Sequence, residues 1–365
     1  VGRRRWVNVK ATWYKRAKAM SGALLETAAG PAGGATLGRL ASIPLTLLGL
    51  VLVTFLIGHA LPIDPILAQV GDHAPPEVVA RVRAELGLDQ PLYAQFAIYL
   101  QRLARGELGT STMTQRPVLS DIARFFPATL ELATAALILA LLAGIPLGVW
   151  AAARPGSALD RLVRVVSLVG QSIPVFVLGL LLLLLFYARL GWAPGTGQIG
   201  VLYAGSVPPR TGLLVIDAAL ARQWAACASA LAHLALPALT LALFTLATIT
   251  RMTRGFMRDT LASDFILAAR AKGLSERRIL WRHAFATIAV PLITVVALAY
   301  AGLLEGAVLT ETVFSWPGLG LYFSVSLLNA DMNAVLGATL VVGVTYVALN
   351  LVADLLYRLF DPRVG

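Results

Sequence analysis

Between Arg164 and Arg189 the chain runs for 24 residues without a formal charge, about 36 Å of α-helix at 1.5 Å per residue. A hydrocarbon core is about 30 Å thick and takes roughly 20 apolar residues to cross, so this stretch has the length of a tilted membrane span. Five more stretches share its character, and the six lie near residues 40–61, 128–150, 165–188, 231–250, 288–309 and 334–356. In lipid every backbone amide must find its partner within the protein, and uniformly apolar runs do this as helices. Prolines at 44, 146, 174, 237 and 291 fall in or at the ends of these runs, where bundle packing tolerates them. The chain therefore reads as an all-α polytopic membrane protein with six transmembrane helices.

Composition agrees. Hydrophobic residues make up 58% and charged residues 13%, against about 45–50% and 25% in soluble domains. A net charge of +11 would point to nucleic acid in a soluble chain, but here charge has to be read loop by loop, and no nucleic-acid partner follows. Segments 1–39, 151–164, 251–287 and 357–365 hold 21 of the 30 Lys and Arg, and the opposite-facing segments hold 9. Basic loops stay on the inner side, so an even number of spans places both termini in the cytoplasm. The loop from 62 to 126 weakens the contrast, because Arg81, Arg83, Arg102, Arg105, Arg116 and Arg124 lie in it.

The basic segment 251–287 has a design of its own. Ala268, Ala269, Arg270, Ala271 and Lys272 make a small-residue helix, Gly273 stops it, and Leu274-Ser275-Glu276-Arg277-Arg278 starts a second helix with serine at the cap position. Asp264 opens the first helix. Alanines let a partner surface approach the helix backbone, and glycine takes the left-handed conformation at little cost. Two short helices joined by a tight turn form a rigid knob that another protein can grip; a basic loop resting on anionic lipid is the plainer alternative.

Several chemistries are absent. No G-x-x-x-x-G-K-[ST] phosphate loop, H-E-x-x-H zinc pair or G-x-S-x-G nucleophile turn occurs, so the chain carries no catalytic or metal residues and binds no cofactor. Cys227 is the single cysteine, which excludes an intrachain disulfide. Ionisable groups inside a membrane are costly and deserve individual weighing. Glu131 lies near the outer end of the second span, Glu305 and Glu311 flank the outer end of the fifth, and Gln171 and Asn350 are the candidates for facing a pathway or a partner subunit. Gly144 with Gly148, and Gly302 with Gly306, have the spacing of close helix packing.

The loop from 62 to 126 exceeds a plain connection. Pro75-Pro76-Glu77 followed by an apolar helical period predicts one or two short helices there, either docking a substrate-delivering protein or covering the bundle. The first 36 residues carry seven basic residues with Trp6, Trp13 and Tyr14, a composition suited to an anionic membrane surface and unlike a cleavable signal peptide.

Seven fragments then appear in one order: Leu86-Gly87-Leu88-Asp89-Gln90-Pro91, Gly106-Glu107-Leu108-Gly109, Pro127-Ala128-Thr129-Leu130-Glu131-Leu132, Ser172-Ile173-Pro174-Val175-Phe176, Ala268 to Arg278, Phe314-Ser315-Trp316-Pro317-Gly318-Leu319-Gly320, and Asp361-Pro362-Arg363. Together they resemble the B-type permease of the dipeptide, oligopeptide and nickel ABC importers. The resemblance implies a type I ABC importer permease fold and the transport of di- or oligopeptides across the bacterial inner membrane. Nickel chelates, glutathione or haem are the alternative cargoes, and an ATP-independent transporter or channel is the rival class. It also implies four kinds of partner besides membrane lipid: a second, C-type permease, two cytoplasmic ATP-binding subunits that carry ATP and Mg, and an extracytoplasmic substrate-binding protein. The chain would not itself be an enzyme.

By the same resemblance, 251–287 is the ATPase-coupling loop, with Asp264, Ala268, Ala269, Arg270, Ala271, Lys272, Gly273, Leu274, Ser275, Glu276, Arg277 and Arg278 as its contact set. Leu267 stands where the general motif of such loops has glutamate. The organisation implied is a basic extension at 1–36, a first span with its extracytoplasmic loop at 37–126, a five-helix permease core at 127–357 and a tail at 358–365.

Overall fold

The computed structural model describes residues 31–60, 75–86 and 89–360. The basic residues 1–30 and the closing Asp361-Pro362-Arg363 lie outside them. The chain divides into two units. The first contributes residues 31–53, the opening part of helix α1 (Pro31–Ala60). The second runs from Thr54 to Asp361 and holds every later element.

Two short helices occupy the 62–126 loop, as its sequence predicts: α2 (Pro76–Leu86) and α3 (Leu92–Ala104). The Phe55 ring lies 5.2 Å from Phe96 and 5.7 Å from Tyr99, centroid to centroid, which fastens α3. Then come α4 (Val118–Ala153), α5 (Ala158–Ser172), α6 (Val175–Leu182, continued by a π-helical turn to Arg189), α7 (Leu214–Leu220) and α8 (Trp224–Leu261). The remainder is α9 (Asp264–Ala271), α10 (Glu276–Arg278), a π-helical turn Ile279–Ala284, α11 (Phe285–Phe314), α12 (Leu319–Leu328) and α13 (Met332–Phe360). Among the described residues the one β-type pairing is an isolated bridge between Thr110 and Pro117.

The expectation of six continuous spans is corrected in one place. Among the described residues four helices are long and apolar enough to cross a membrane: Val118–Ala153, Trp224–Leu261, Glu276–Phe314 and Met332–Ala353. The first expected span falls within the continuous helix α1 (Pro31–Ala60), and the third, longest in sequence, is broken. Ile173 is extended at φ −93° and ψ 124°, and Pro174 follows at ψ 134°, so α5 ends and α6 begins anew. A proline removes an amide donor and pushes the preceding residue out of the helical region. Pro146 and Pro237 stay inside continuous helices.

The core is the seam of α4, α8 and α11. Ala133, Ala136 and Ala140 of α4 meet Ala238, Leu241 and Ala242 of α8, with Leu303 and Ala307 of α11 closing the cluster. Small side chains let the backbones approach. A Cβ on Gly148 would stand 2.8 Å from the Thr250 carbonyl and 2.7 Å from Thr253, so this glycine packs as its spacing predicts. Gly302 differs: nothing lies within 4 Å of its Cβ position, and its face of α11 is open.

A knot of hydrogen bonds closes the far end of this seam. Ser315 ends α11 in the left-handed conformation, and Trp316 turns back into the core, wholly buried, with its Nε1 donating to the Ala128 carbonyl at 2.9 Å. Glu311 is equally buried; Thr129 Oγ1 donates to one of its oxygens at 2.6 Å and the Leu321 amide to the other at 3.0 Å. The Leu319 amide donates to Thr129 Oγ1 at 2.8 Å. Two of the sequence fragments, Pro127 to Leu132 and Phe314 to Gly320, thus meet around one carboxyl group. A Cβ at Gly320 would lie 2.5 Å from the Val308 Cα, a backbone atom that cannot step aside. Gly320→Ala is therefore expected to destabilise the purified chain by about 1–3 kcal/mol, read as a lower thermal midpoint in detergent. Gly255→Ala, at an open helical position, should hold or raise it.

Candidate functional site

The basic loop grows from the end of α8. Its helix stops at Leu261, Ser263 takes an extended conformation (φ −80°, ψ 154°), and α9 begins with Asp264, whose acid suits the positive end of a helix. The Ser263 hydroxyl donates back to the Thr260 carbonyl at 2.5 Å and does not cap α9. At the other end Gly273 has φ +75°. Its amide donates to the Arg270 carbonyl at 2.9 Å, and the Leu274 amide to the Ala269 carbonyl at 3.3 Å. This pair of bonds, with Leu274 and Ala269 in one apolar cluster, is a Schellman stop.

Ser275 is extended at the start of the next helix, but its side chain makes no capping bond. The second short helix expected there is not separate. Glu276–Arg278 passes through the π-helical turn directly into α11, forming one apolar-bodied helix from Glu276 to Phe314. Arg270 bridges the turn: its Nε donates to Glu276 Oε1 at 2.9 Å and its terminal nitrogen to Oε2 at 3.4 Å. Both side chains are exposed, so the pair sets geometry more than stability.

α9 has two faces with different duties. Ile266 and Ala269 point inward and pack with Val149 and Ala152 of α4, Met257 of α8, and Ile279, Ala284 and Ile288 leading into α11. Phe265, Leu267, Ala268, Ala271 and Lys272 are exposed. Ala269 is thus turned inward, away from any partner, and Leu274 is half-buried beside it, while Asp264, Ala268, Arg270, Ala271, Lys272, Gly273, Ser275, Glu276, Arg277 and Arg278 remain accessible. Leu267, where glutamate would be general, is 66% exposed. Beyond the turn, Ser275, Arg277, Arg278, Trp281 and Arg282 line a shallow basic concavity of about 470 Å³. An apolar patch thus lies beside a cationic hollow.

The polar groups weighed within the spans have different fates. Glu131 accepts from Gln198 Nε2 at 3.1 Å and the Val215 amide at 2.8 Å, so it anchors the 190–223 loop, as Glu311 anchors the turn after α11. Within that loop Asp217 accepts from the amides of Arg210, Thr211 and Gly212. Burial pushes its carboxyl upward most strongly, yet these donors together hold it below the ordinary carboxylate range. Asn350 is half-buried on α13. Gln171 belongs to α5, and its side chain lies outside the described residues.

One residue pair is visible only in the fold. Asp160 on α5 is buried and accepts from Arg254 of α8 and Arg164, while its Oδ2 also receives the Gly156 amide at 3.0 Å. Its own amide donates to the Ser157 hydroxyl at 3.2 Å. The Ser-x-x-Asp spacing of a helix start was the available signal; the long-range partner Arg254 had none. This lock ties the base of α8, from which the loop springs, to the start of α5.

The Arg254 guanidinium, then the Gly156 amide, hold the Asp160 carboxyl down at about 2, against an ordinary 3.8. A depressed folded value stabilises the fold above the unfolded pKa and loses that stabilisation as pH falls, so about 2–3 kcal/mol should vanish between pH 4 and pH 2. Asp160→Asn is expected to lower the thermal midpoint at pH 7 and to flatten its acid dependence. Melting curves of the two proteins in detergent at pH 7, 4 and 3 check this.

Residues 144–365 match the family described as binding-protein-dependent transport system inner membrane component, and residues 36–133 match its N-terminal counterpart. The probable D,D-dipeptide transport system permease protein DdpB of Escherichia coli (strain K12) is 46% identical over 323 residues, covering 88% of this chain and 94% of that protein. The di/tripeptide transport system permease protein DppB of Pseudomonas aeruginosa (strain UCBPP-PA14) is 41% identical, over 87% of this chain and 95% of its own length. An inward-facing MetNI methionine ABC transporter structure has a TM-score of 0.49 at 17% identity, covering 66% of this chain and 96% of its own. Similarity at this level along nearly the whole length bears out the resemblance carried by the seven fragments, and the chain belongs to the binding-protein-dependent inner-membrane permeases of ABC importers.

Proposed function

We propose that this subunit carries di- or oligopeptides across the bacterial inner membrane, driven by ATP hydrolysed on two separate subunits that grip the loop around α9. A second, C-type permease would complete the pathway, and an extracytoplasmic binding protein would deliver the peptide. The relatives named for dipeptide and di/tripeptide transport support the cargo. The excess of basic residues in segments 1–39, 151–164, 251–287 and 357–365 supports a cytoplasmic loop and cytoplasmic termini. ATP and Mg belong on the partners, because the chain has no phosphate-binding loop.

The observation that carries the mechanism is the two-faced packing of α9. Its outer face offers Phe265, Leu267 and Ala268, and its inner face is locked by Ile266 and Ala269 onto α4, α8 and the start of α11. A push on the outer face cannot be absorbed locally: the Schellman stop and the Arg270–Glu276 bridge stiffen the turn, and α10 is continuous with α11. Approach of the ATPases would therefore tilt the spanning helices and open the bundle outward, and hydrolysis would reset it. The exposed face also fits a partner cleft better than lipid, since Arg270 is already engaged by Glu276.

Gly273 gives the test. Nothing lies within 4 Å of its Cβ position, so a Cβ there meets no atom of this chain and a bulky side chain would extend toward the space a partner would fill. Gly273→Trp should insert into the membrane normally yet abolish substrate-stimulated ATP hydrolysis by the assembled importer. Gly273→Asn, which tolerates the left-handed conformation, should retain most of it. Normal stimulation in the tryptophan variant would remove the loop from the coupling role.

A further inference from the structure

α11 carries two carboxylates, six residues apart, and treats them differently. Glu311 is wholly buried and has a donor on each oxygen, so its function is to hold the turn after the helix. Glu305 is exposed, and among the described residues no hydrogen bond or ion pair is made by it. Yet Glu305 lies inside the apolar body of the helix, four residues within the outer end of the span 288–309, about 6 Å from that boundary at 1.5 Å per residue. A charged side chain facing hydrocarbon carries a cost of kilocalories, and such residues instead face a partner or a water-filled cavity.

The neighbours of Glu305 show what kind of face it shares. Leu298, Gly302, Glu305, Leu309 and Thr312 recur at helical spacing, and all are exposed. Gly302, one turn inward, has nothing within 4 Å of its Cβ position, which leaves a recess beside the carboxylate. Thr312 continues the stripe outward with a hydroxyl 3.3 Å from that of Ser324 on α12. A lipid-facing stripe has no use for a glycine recess, a carboxylate and a hydroxyl in line. From this placement we infer that Glu305 lines the translocation pathway on its outer half and receives the ammonium group of the passing substrate.

The inference rests on the peptide reading above for its cargo, because a peptide with a free amino terminus presents an ammonium ion to the channel. An unpaired carboxylate in a narrow, low-dielectric passage attracts that group and repels anions. The recess at Gly302 gives the substrate backbone room beside it. Glu305 would thus select for the charged end of the cargo after the binding protein has released it.

Cys227 makes a labelling test simple, since Cys227→Ser yields a chain without cysteine. In that background, within the assembled importer in proteoliposomes, Leu309→Cys places a thiol one turn outward of Glu305. Held outward-open with ATP and vanadate, it should react with membrane-impermeant methanethiosulfonates added outside, and, with each rate divided by that reagent's rate with a small free thiol in solution, the cationic reagent should be favoured over the anionic one about tenfold or more. Adding Glu305→Gln should erase the preference and lower uptake of a free-amino dipeptide at least about tenfold, with Glu305→Asp restoring part of both. No reaction in any nucleotide state would overturn the assignment, because the stripe then faces lipid or a sealed interface. So would labelling without charge preference, or uptake unchanged in Glu305→Gln. Failure of Glu305→Gln to co-purify with the second permease would instead make the carboxylate an ion-pair partner of that subunit, which also overturns it. A Leu309→Cys importer with Glu305 intact that labels with charge preference but, like the wild type, carries no peptide refutes the peptide reading alone and supports the lining assignment.

Discussion

A carboxyl group buried between helices is tolerated only where donors meet its oxygens. Glu311 satisfies that condition through Thr129 from α4 and the backbone at the start of α12. Thr129 in turn accepts from the Leu319 amide, and Trp316 reaches the carbonyl of Ala128. These bonds specify how α11 turns, where α12 starts and which residues of α4 lie opposite. The glycines at 318 and 320 follow from the same need, because a Cβ at Gly318 would fall on the carboxylate itself and one at Gly320 on the backbone of Val308. With this end fixed, the alanine-lined seam of α4, α8 and α11 has one register.

At the opposite end, the same three helices hold the basic loop. α9 rests on Val149 and Ala152 of α4, on Met257 of α8 and on Ile279 at the start of the helix that becomes α11. The Asp160–Arg254 lock steadies the base of α8. A bundle pinned by Glu311 at one end and loaded through α9 at the other can pass a displacement along its length, because the packed seam between the two ends has little room to deform. The division of duties between the faces of α9 is what makes the loop a lever in the proposed mechanism, with Leu267 and Phe265 outside and Ile266 and Ala269 inside.

Much of this was legible in the residues. Four of the expected spans, the short helices after the first span, the left-handed stop at Gly273 and the close packing at Gly148 each follow from a local rule about length, charge or steric freedom. Local rules also misled. The run from Arg164 to Arg189 is the most uniformly uncharged in the chain, yet Pro174 breaks it, because hydropathy measures where a segment is comfortable and not whether its backbone is continuous. Ser275 occupies a cap position without capping, and Ala269, one of a run of similar alanines, faces inward.

By itself, then, the order of residues determined that the chain is a helical membrane protein with a basic loop stopped by a glycine, and its fragments identified the family. Those properties depend on neighbours within a few turns: charge, apolar length and backbone freedom are readable at short range. Only the tertiary structure decided which acids serve the fold and which do not. Glu131, Glu305 and Glu311 look alike in sequence, but two are tied by donors from segments more than sixty residues away or from a returning turn, and one is left facing outward. Whether a charged group in a membrane is anchored or free depends on what the rest of the chain brings to it, and that information exists only once the helices are packed.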